Sequence, residues 1–224
     1  MLRPILDWFW ETTGATAVPC SSAVGTLHDA FVQTADSSSI SVYNGSDVGV
    51  GQSWQSGSAP SVVSGACVRL DRVGSPSGTY TVGIRAHSGT YGTSSVPTGS
   101  DLVTSAEVDV STISQTVADY WHALGGWTPT ASTNYVLTID GTNVTGDGSN
   151  YLAVIVETGA EATHGGNQSA ITSSWAAAAT QDMAFKVYYR SGGGGATSNN
   201  RQRGYAAMVV RGFRIFLPLL FGAM

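Results

Sequence analysis

The sequence predicts an all-β protein, an antiparallel β-sandwich with a short N-terminal helical segment and an extended C-terminal arm. Three observations predict it. First, Gly, Ser and Thr make 80 of the 224 residues and charged residues only 11%, unlike coiled coils and helical bundles, which draw on Ala, Glu, Lys, Leu and Arg. Second, short runs of alternating apolar and polar residues recur between turn signals, the pattern of strands with one buried face. Third, the two ends depart from that pattern. With 42% apolar residues and a net charge of −5, the chain is not built like a disordered one. Its length fits one domain with tails.

The elements follow in order. Leu2, Ile5, Leu6 and Phe9 stand at i, i+3, i+4 and i+7, one helical face, and Gly14 can close it. So short a helix needs a partner surface, either its own domain or another subunit. Residues 28–60 read as loops and short strands, with turns at Asn44-Gly45 and Ser56-Gly57. Val62, Ala66, Val68 and Leu70 then alternate with polar neighbours, and Gly74-Ser75-Pro76-Ser77-Gly78 makes a turn. Tyr80, Val82, Ile84 and Ala86 follow on one face, with Thr81, Arg85 and His87 on the other. This reads as a hairpin with a dry and a wet face.

Residues 88–100 read as a loop. Val108 and Val110 mark a short strand, as do Tyr120 and His122. Tyr135, Leu137 and Ile139 mark another, ending in the turn at Asp140-Gly141. Leu152, Val154 and Val156 precede the last strand of the body, carried by Met183, Phe185, Val187 and Tyr189. Eight or more strands at hairpin spacing give a sandwich. The predicted organisation is an N-terminal arm with the first strands over 1–47, the sandwich over 48–190, a Gly-rich linker over 191–200 and a basic, apolar arm over 201–224.

Charge divides along the same line. Residues 1–200 hold all fifteen acids and six bases, whereas 201–224 hold Arg201, Arg203, Arg211 and Arg214 and no acid. An acidic body offers no clustered bases for phosphates, so it is not expected to bind nucleic acid. Asp7 and Glu11 interrupt the apolar run that a secretory signal requires, which predicts synthesis in the cytoplasm without export. Arg211, Arg214 and Pro218 argue against a transmembrane span at the C-terminus. Cys20 and Cys67 read first as two separate buried thiols. The alternative is one disulfide tying the N-terminal segment to the body.

Catalytic signals are weak. His28, His87, His122 and His164 are scattered, and a Ser–His–Asp set can be drawn by chance from so many serines. There is no GxSxG, HExxH or P-loop. Glu157 and Glu161 read as a solvated strand end. Asp140-Gly-Thr-Asn143 and Asp147-Gly-Ser-Asn150 faintly resemble calcium loops but lack the full ligand pattern, and Asp-Gly and Asn are ordinary turn residues. No enzyme activity, metal or cofactor is expected. Asn44-Gly-Ser, Asn143-Val-Thr and Asn167-Gln-Ser match the glycosylation pattern, which carries little weight in a Ser/Thr-rich chain. Trp54, Tyr91, Trp127, Tyr151 and Trp175 lie in or near predicted loops and are candidates to stack on a glycan, or else pack in the core.

GQSWQS (51–56), VRLDRVGSPSGTYTVGIRAHSGTYGTSSVPTG (68–99), ALGGWTPTASTNYVLTID (123–140) and DMAFKVYYR (182–190) together resemble a jelly-roll β-sandwich domain that recurs in structural proteins of tailed phages and in bacterial surface proteins. The resemblance covers about residues 48–190 and is carried mainly by the 68–99 run. It implies an antiparallel jelly roll that decorates virions or cell surfaces without catalysis.

The expected function is therefore a virion structural protein, such as a capsid decoration, fibre or minor capsid component, assembled in the host cytoplasm as a homo-oligomer or with other capsid or tail proteins. Its expected interface comprises Leu2, Ile5, Leu6 and Phe9 at one end. At the other stand Phe213, Ile215, Phe216, Leu217, Leu219, Leu220 and Phe221, with Arg211 and Arg214 to pair with acidic surfaces. Alternatives are a glycan-binding surface module and an extracellular filament subunit held by strand exchange.

Overall fold

The computed structural model describes residues 14–33 and 38–190. There the chain forms two antiparallel sheets packed as a sandwich, with no α-helix among the described residues. The helix expected over residues 2–10, the linker, the C-terminal arm and every interface residue named above lie outside the described residues.

The first sheet is built on β5 (Val63–Val73). One edge of β5 pairs with β9 (Ala118–Ala123), and β1 (Val18–Pro19) lies beyond it. The opposite edge is shared. The strand β16 (Phe185–Tyr189) takes residues 63–68, and β12 (Tyr151–Thr158) takes residues 70–73. Where β12 parts from β5, β15 (Gln181–Met183) becomes its neighbour. Ala184 bridges the fork, its N–H donating to Ile155 O (3.1 Å) and its carbonyl accepting from Arg69 N (3.2 Å). On the far sides, β2 (Thr26–Phe31) pairs with β16 and β3 (Ser38–Val42) with β12.

The second sheet runs from β7 (Val96–Thr104) through β6 (Ser77–Ser88), β10 (Asn134–Asp140), β4 (Gly49–Gln55) and β13 (Gln168–Ile171) to β14 (Trp175–Ala178). Two short strands, β8 (Val108–Asp109) and β11 (Val144–Thr145), pair the first residues of β6. Its edges β7 and β14 touch each other, so the sheet curls over its outer face. The register explains how. Gly83, Thr138, Gly51 and Ser169 stand side by side across four strands on that face. The Asp101 carboxylate of β7 lies 2.7 Å from where a Cβ on Gly83 would be.

The core fills the space between the sheets. Ala66, Val68 and Leu70 of β5, Tyr80, Val82 and Ile84 of β6, and Tyr135, Leu137 and Ile139 of β10 are all buried there. So are Leu152, Val154 and Val156 of β12, and Met183, Phe185, Val187 and Tyr189 of β15 and β16. Alternation with period two puts these residues on one face of each strand. From β4 to β6 and, the two-residue β11 aside, from β9 to β13 successive strands alternate between the sheets; β7 follows β6 and β14 follows β13 within the second sheet, before β15 and β16 return to the first.

Two expectations are corrected. The strands β5 and β6 do not pair as a hairpin. They belong to different sheets, and residues 74–78 carry the chain across the sandwich. Gly74 (φ +64°) and Gly78 (φ +91°) have left-handed backbones, which favour glycine. The turn is held by neighbouring loops, with Ser75 N donating to Asn150 Oδ1 (2.8 Å) and Gln115 Nε2 to Gly74 O (2.8 Å). Residues 88–100 are also not all loop, because β7 begins at Val96. Pro97, Gly99 and Asp101 disguise it, as they do in edge strands with bulges.

Candidate functional site

Two surfaces and two buried polar clusters stand out among the described residues. The first surface is the outer face of the first sheet. Val18, Trp121, Cys67, Lys186 and Ala30 stand side by side across it. The Trp121 ring crosses Gly65, where no Cβ obstructs it, and meets Tyr188 edge-on at 5.6 Å. Around this aromatic pair Val24 (65%), Leu27 (50%) and Val18 (40%) are solvent-exposed. An apolar groove lined by Ala15, Val18, Ala106, Val108 and Trp121 adjoins it. Asp119 takes hydrogen bonds from Lys186 Nζ (2.6 Å) and Arg69 Nη1 (3.2 Å) on the same face. Cys20 and Cys67 form a disulfide, so the two-thiol reading gives way to the cross-linked one. The bond fastens the segment after Gly14 to the central strand β5.

The second surface is a cleft at the end of the curled sheet, between Val48, Gly49, Arg85, Asp140, Thr142 and Trp175. Gly49 leaves room for the Trp175 ring, whose edge lies 3.5 Å from where a Cβ would stand. In the same cleft, Arg85 Nε donates to Asp101 Oδ1 (2.8 Å) and Nη2 to Asp101 Oδ2 (3.3 Å). Nη2 lies 3.6 Å from Asp140 Oδ2. The hydrogen bond to Asp101 pushes the Arg85 pKa up, burial notwithstanding. Asp140 Oδ1 accepts from the backbone and hydroxyl of Thr142.

Of the candidate stacking residues, Trp175 alone lines this cleft. Trp54 is fully buried in the core, a correction that follows from its place in β4 instead of a loop. Trp127 packs edge-on against Tyr135 at 4.9 Å. Tyr151 faces Tyr43 at 6.5 Å. Tyr91 sits beside His87, and burial, with Asp29 and Asp182 nearby, pushes its hydroxyl up to about 12. The five residues do not form one binding face.

The histidines serve the fold. His122 donates from Nδ1 to Tyr120 O (3.1 Å), which makes Nε2 the acceptor for the Tyr80 hydroxyl (3.0 Å). This bond joins the two sheets through the core. Burial holds the His122 pKa down at about 4 and pushes that of Tyr80 up. At the seam beside β15, Gln52 Nε2 donates to Asp182 Oδ1 (2.9 Å), His164 N donates to Asp182 Oδ2 (2.8 Å) and Met183 N to Gln52 Oε1 (2.7 Å). His87 Nε2 meets Ser95 Oγ at 2.9 Å, but Ser95 is fully buried, so the pair presents no nucleophile to solvent.

The acidic and Asn motifs resolve in the same way. Glu157 is buried, which corrects the reading of a solvated strand end. It hydrogen-bonds Glu161 and repels it, and both effects raise the Glu161 pKa. The two carboxyls touch each other and do not face across a cleft, as glycoside hydrolysis requires. Asp147 Oδ1 is taken by Ser149 N and Asn150 Nδ2, an Asx turn like that at Asp140. Among the described residues no group of three or more His, Cys, Asp or Glu is placed to hold a metal. No helix among them is long and apolar enough to cross a membrane. Asn167 is buried and donates to Ser95 O (3.1 Å), so its sequon is closed to modification. The chain matches no model of a known protein family and none of the curated proteins.

Proposed function

We propose that the protein is a non-enzymatic structural component of a virion, a capsid decoration, fibre or minor capsid protein, whose sandwich is a jelly roll assembled through its terminal arms. The observation that carries this reading is where the two ends of the described chain lie. The N-terminal segment joins at Gly14, four residues before Val18, which pairs with Trp121. The C-terminal segment leaves after Arg190, two residues beyond Tyr188, which packs on that same Trp121. Val18 and Tyr188, near the two ends of the described chain, thus flank one exposed apolar face. Such faces on soluble proteins mark interaction sites, and the arms of neighbouring copies supply matching apolar area. The crossings between the sheets from β4 to β6 and from β9 to β13 support the jelly roll. The Cys20–Cys67 disulfide suits a particle that leaves a reducing cytosol after assembly and faces an oxidising exterior.

Deletion of residues 191–224 tests the reading. The truncated sandwich is expected to fold, with unchanged circular dichroism, and to fail to enter particles. Antibody to the sandwich, seen by immunogold electron microscopy, is expected on discrete particles. Normal incorporation of the truncated protein, or gold along cell-attached filaments, overturns the proposal.

A further inference from the structure

We propose that the cleft between Trp175 and the Arg85–Asp140 pair binds a neutral saccharide ring. The assembly reading neither requires this site nor shares a residue with it, so either can fail alone. The chemistry on the two walls carries the inference. One side is lined by the half-buried Trp175 with Gly49 and Ile171, the ring edge against Gly49. The other side is polar and held rigid. Asp101 takes two of the five guanidinium N–H groups of Arg85, and Asp140 lies against Nη2. The two Nη1 hydrogens have no partner among the described residues. Asp140 Oδ1 is engaged by Thr142, which leaves Oδ2 turned to the guanidinium with capacity to accept.

An aromatic side chain sharing one cleft with an adjacent donor and acceptor suits a ligand with an apolar face and neighbouring hydroxyls, each able to accept and donate. A sugar ring has that form. Few polar groups at set positions beside an apolar wall are how small-ligand sites gain orientation. Charge sets the class. One guanidinium stands among two carboxylates, Asp101 and Asp140, so the site favours a neutral sugar over a uronic or sialic acid. The groups are pre-ordered by their own hydrogen bonds, which lowers the ordering cost of binding.

The test titrates the intact protein with glucose, galactose, mannose and N-acetylglucosamine, and separately with glucuronic acid and N-acetylneuraminic acid. It follows indole and guanidinium N–H resonances by NMR, with the Trp175 signal assigned by Trp175→Phe. At least one neutral sugar is expected to shift the Trp175 and Arg85 signals with Kd on the order of 1 mM. Trp175→Ala should weaken that binding at least about tenfold. Thr142→Ala, at an exposed turn that does not threaten folding, should weaken it about two- to fivefold by freeing the Asp140 carboxylate. Three results overturn the proposal: no shift at Trp175 with any neutral sugar, unchanged binding in Trp175→Ala, or equally tight binding of the acidic sugars.

Discussion

The outer faces of the two sheets solve the same problem in opposite ways. The second sheet carries Gly83, Thr138, Gly51 and Ser169 across its middle, and this low row lets the edge strands β7 and β14 fold over it. As a result Val136, Thr138 and Ser169 are buried on a face that would otherwise be wet. The first sheet carries Trp121, Cys67 and Lys186 in the corresponding place. Beside them Val24, Leu27 and Val18 remain exposed. A sheet with only small side chains or none on its outer row covers much of that face with its own edges. A sheet with large side chains there carries a covalent tie across them and leaves an apolar face exposed.

That contrast is broken most strongly at the tie. Cys20 and Cys67 are 47 residues apart, and a cross-link over such a loop is worth about 2–4 kcal/mol. Reduction, or the double variant C20A/C67A, should lower the urea midpoint accordingly. It should raise hydrogen exchange in β1 and β9 and leave β10 and β4 protected. Equal loss of protection in both sheets would show that the bond stabilises the sandwich as a whole.

The next effect tests the bond that joins the sheets. His122 is neutral in the core with its pKa held near 4 by burial, whereas in the unfolded chain it titrates near 6.5. Above pH 6.5 both states are neutral and stability is at its full value. As pH falls from 6.5 towards 4, the unfolded chain takes the proton first, and stability declines by about 1.4 kcal/mol for each pH unit. Below the folded value the slope from this group vanishes. Denaturant melts at stepped pH should show this decline, and His122→Gln should flatten it. An unchanged slope in the variant would assign the acid sensitivity to other groups.

The sequence makes the strands of the core legible because their alternation is regular: Tyr80, Val82 and Ile84 in β6, and Leu152, Val154 and Val156 in β12, face inward as read. It hides whatever depends on contacts between distant segments. Nothing local distinguishes a hairpin turn at 74–78 from a crossing between sheets, because the groups that hold it, Asn150 and Gln115, come from elsewhere. The strand β7 is masked by its turn-forming residues, and Glu157 reads as solvated although β12 carries it into the interior. The cleft was half visible. Trp175 stands out as an aromatic near a loop, but only pairing across β6, β10 and β4 brings Arg85, Asp140 and Gly49 beside it. The disulfide was an open alternative because the two cysteines approach only once β1 and β5 flank β9.

The smallest effect on stability is expected at the exposed end of the first sheet, and its size is the point. Val24 and Leu27 are exposed by 65% and 50%, so V24S/L27S removes little area buried within the sandwich and should change unfolding free energy by no more than about 0.5 kcal/mol. If this face receives the arm of a neighbour, the same change should weaken association by about tenfold or more, since apolar anchors at the centre of an interface dominate its energy. Sedimentation of the full-length protein against concentration reads association, and denaturant melts of the same sample read folding, which separates the two quantities. A variant that melts like the parent and associates like the parent would make the exposed apolar face an ordinary surface, and the contrast between the sheets would reduce to how each fills its outer row.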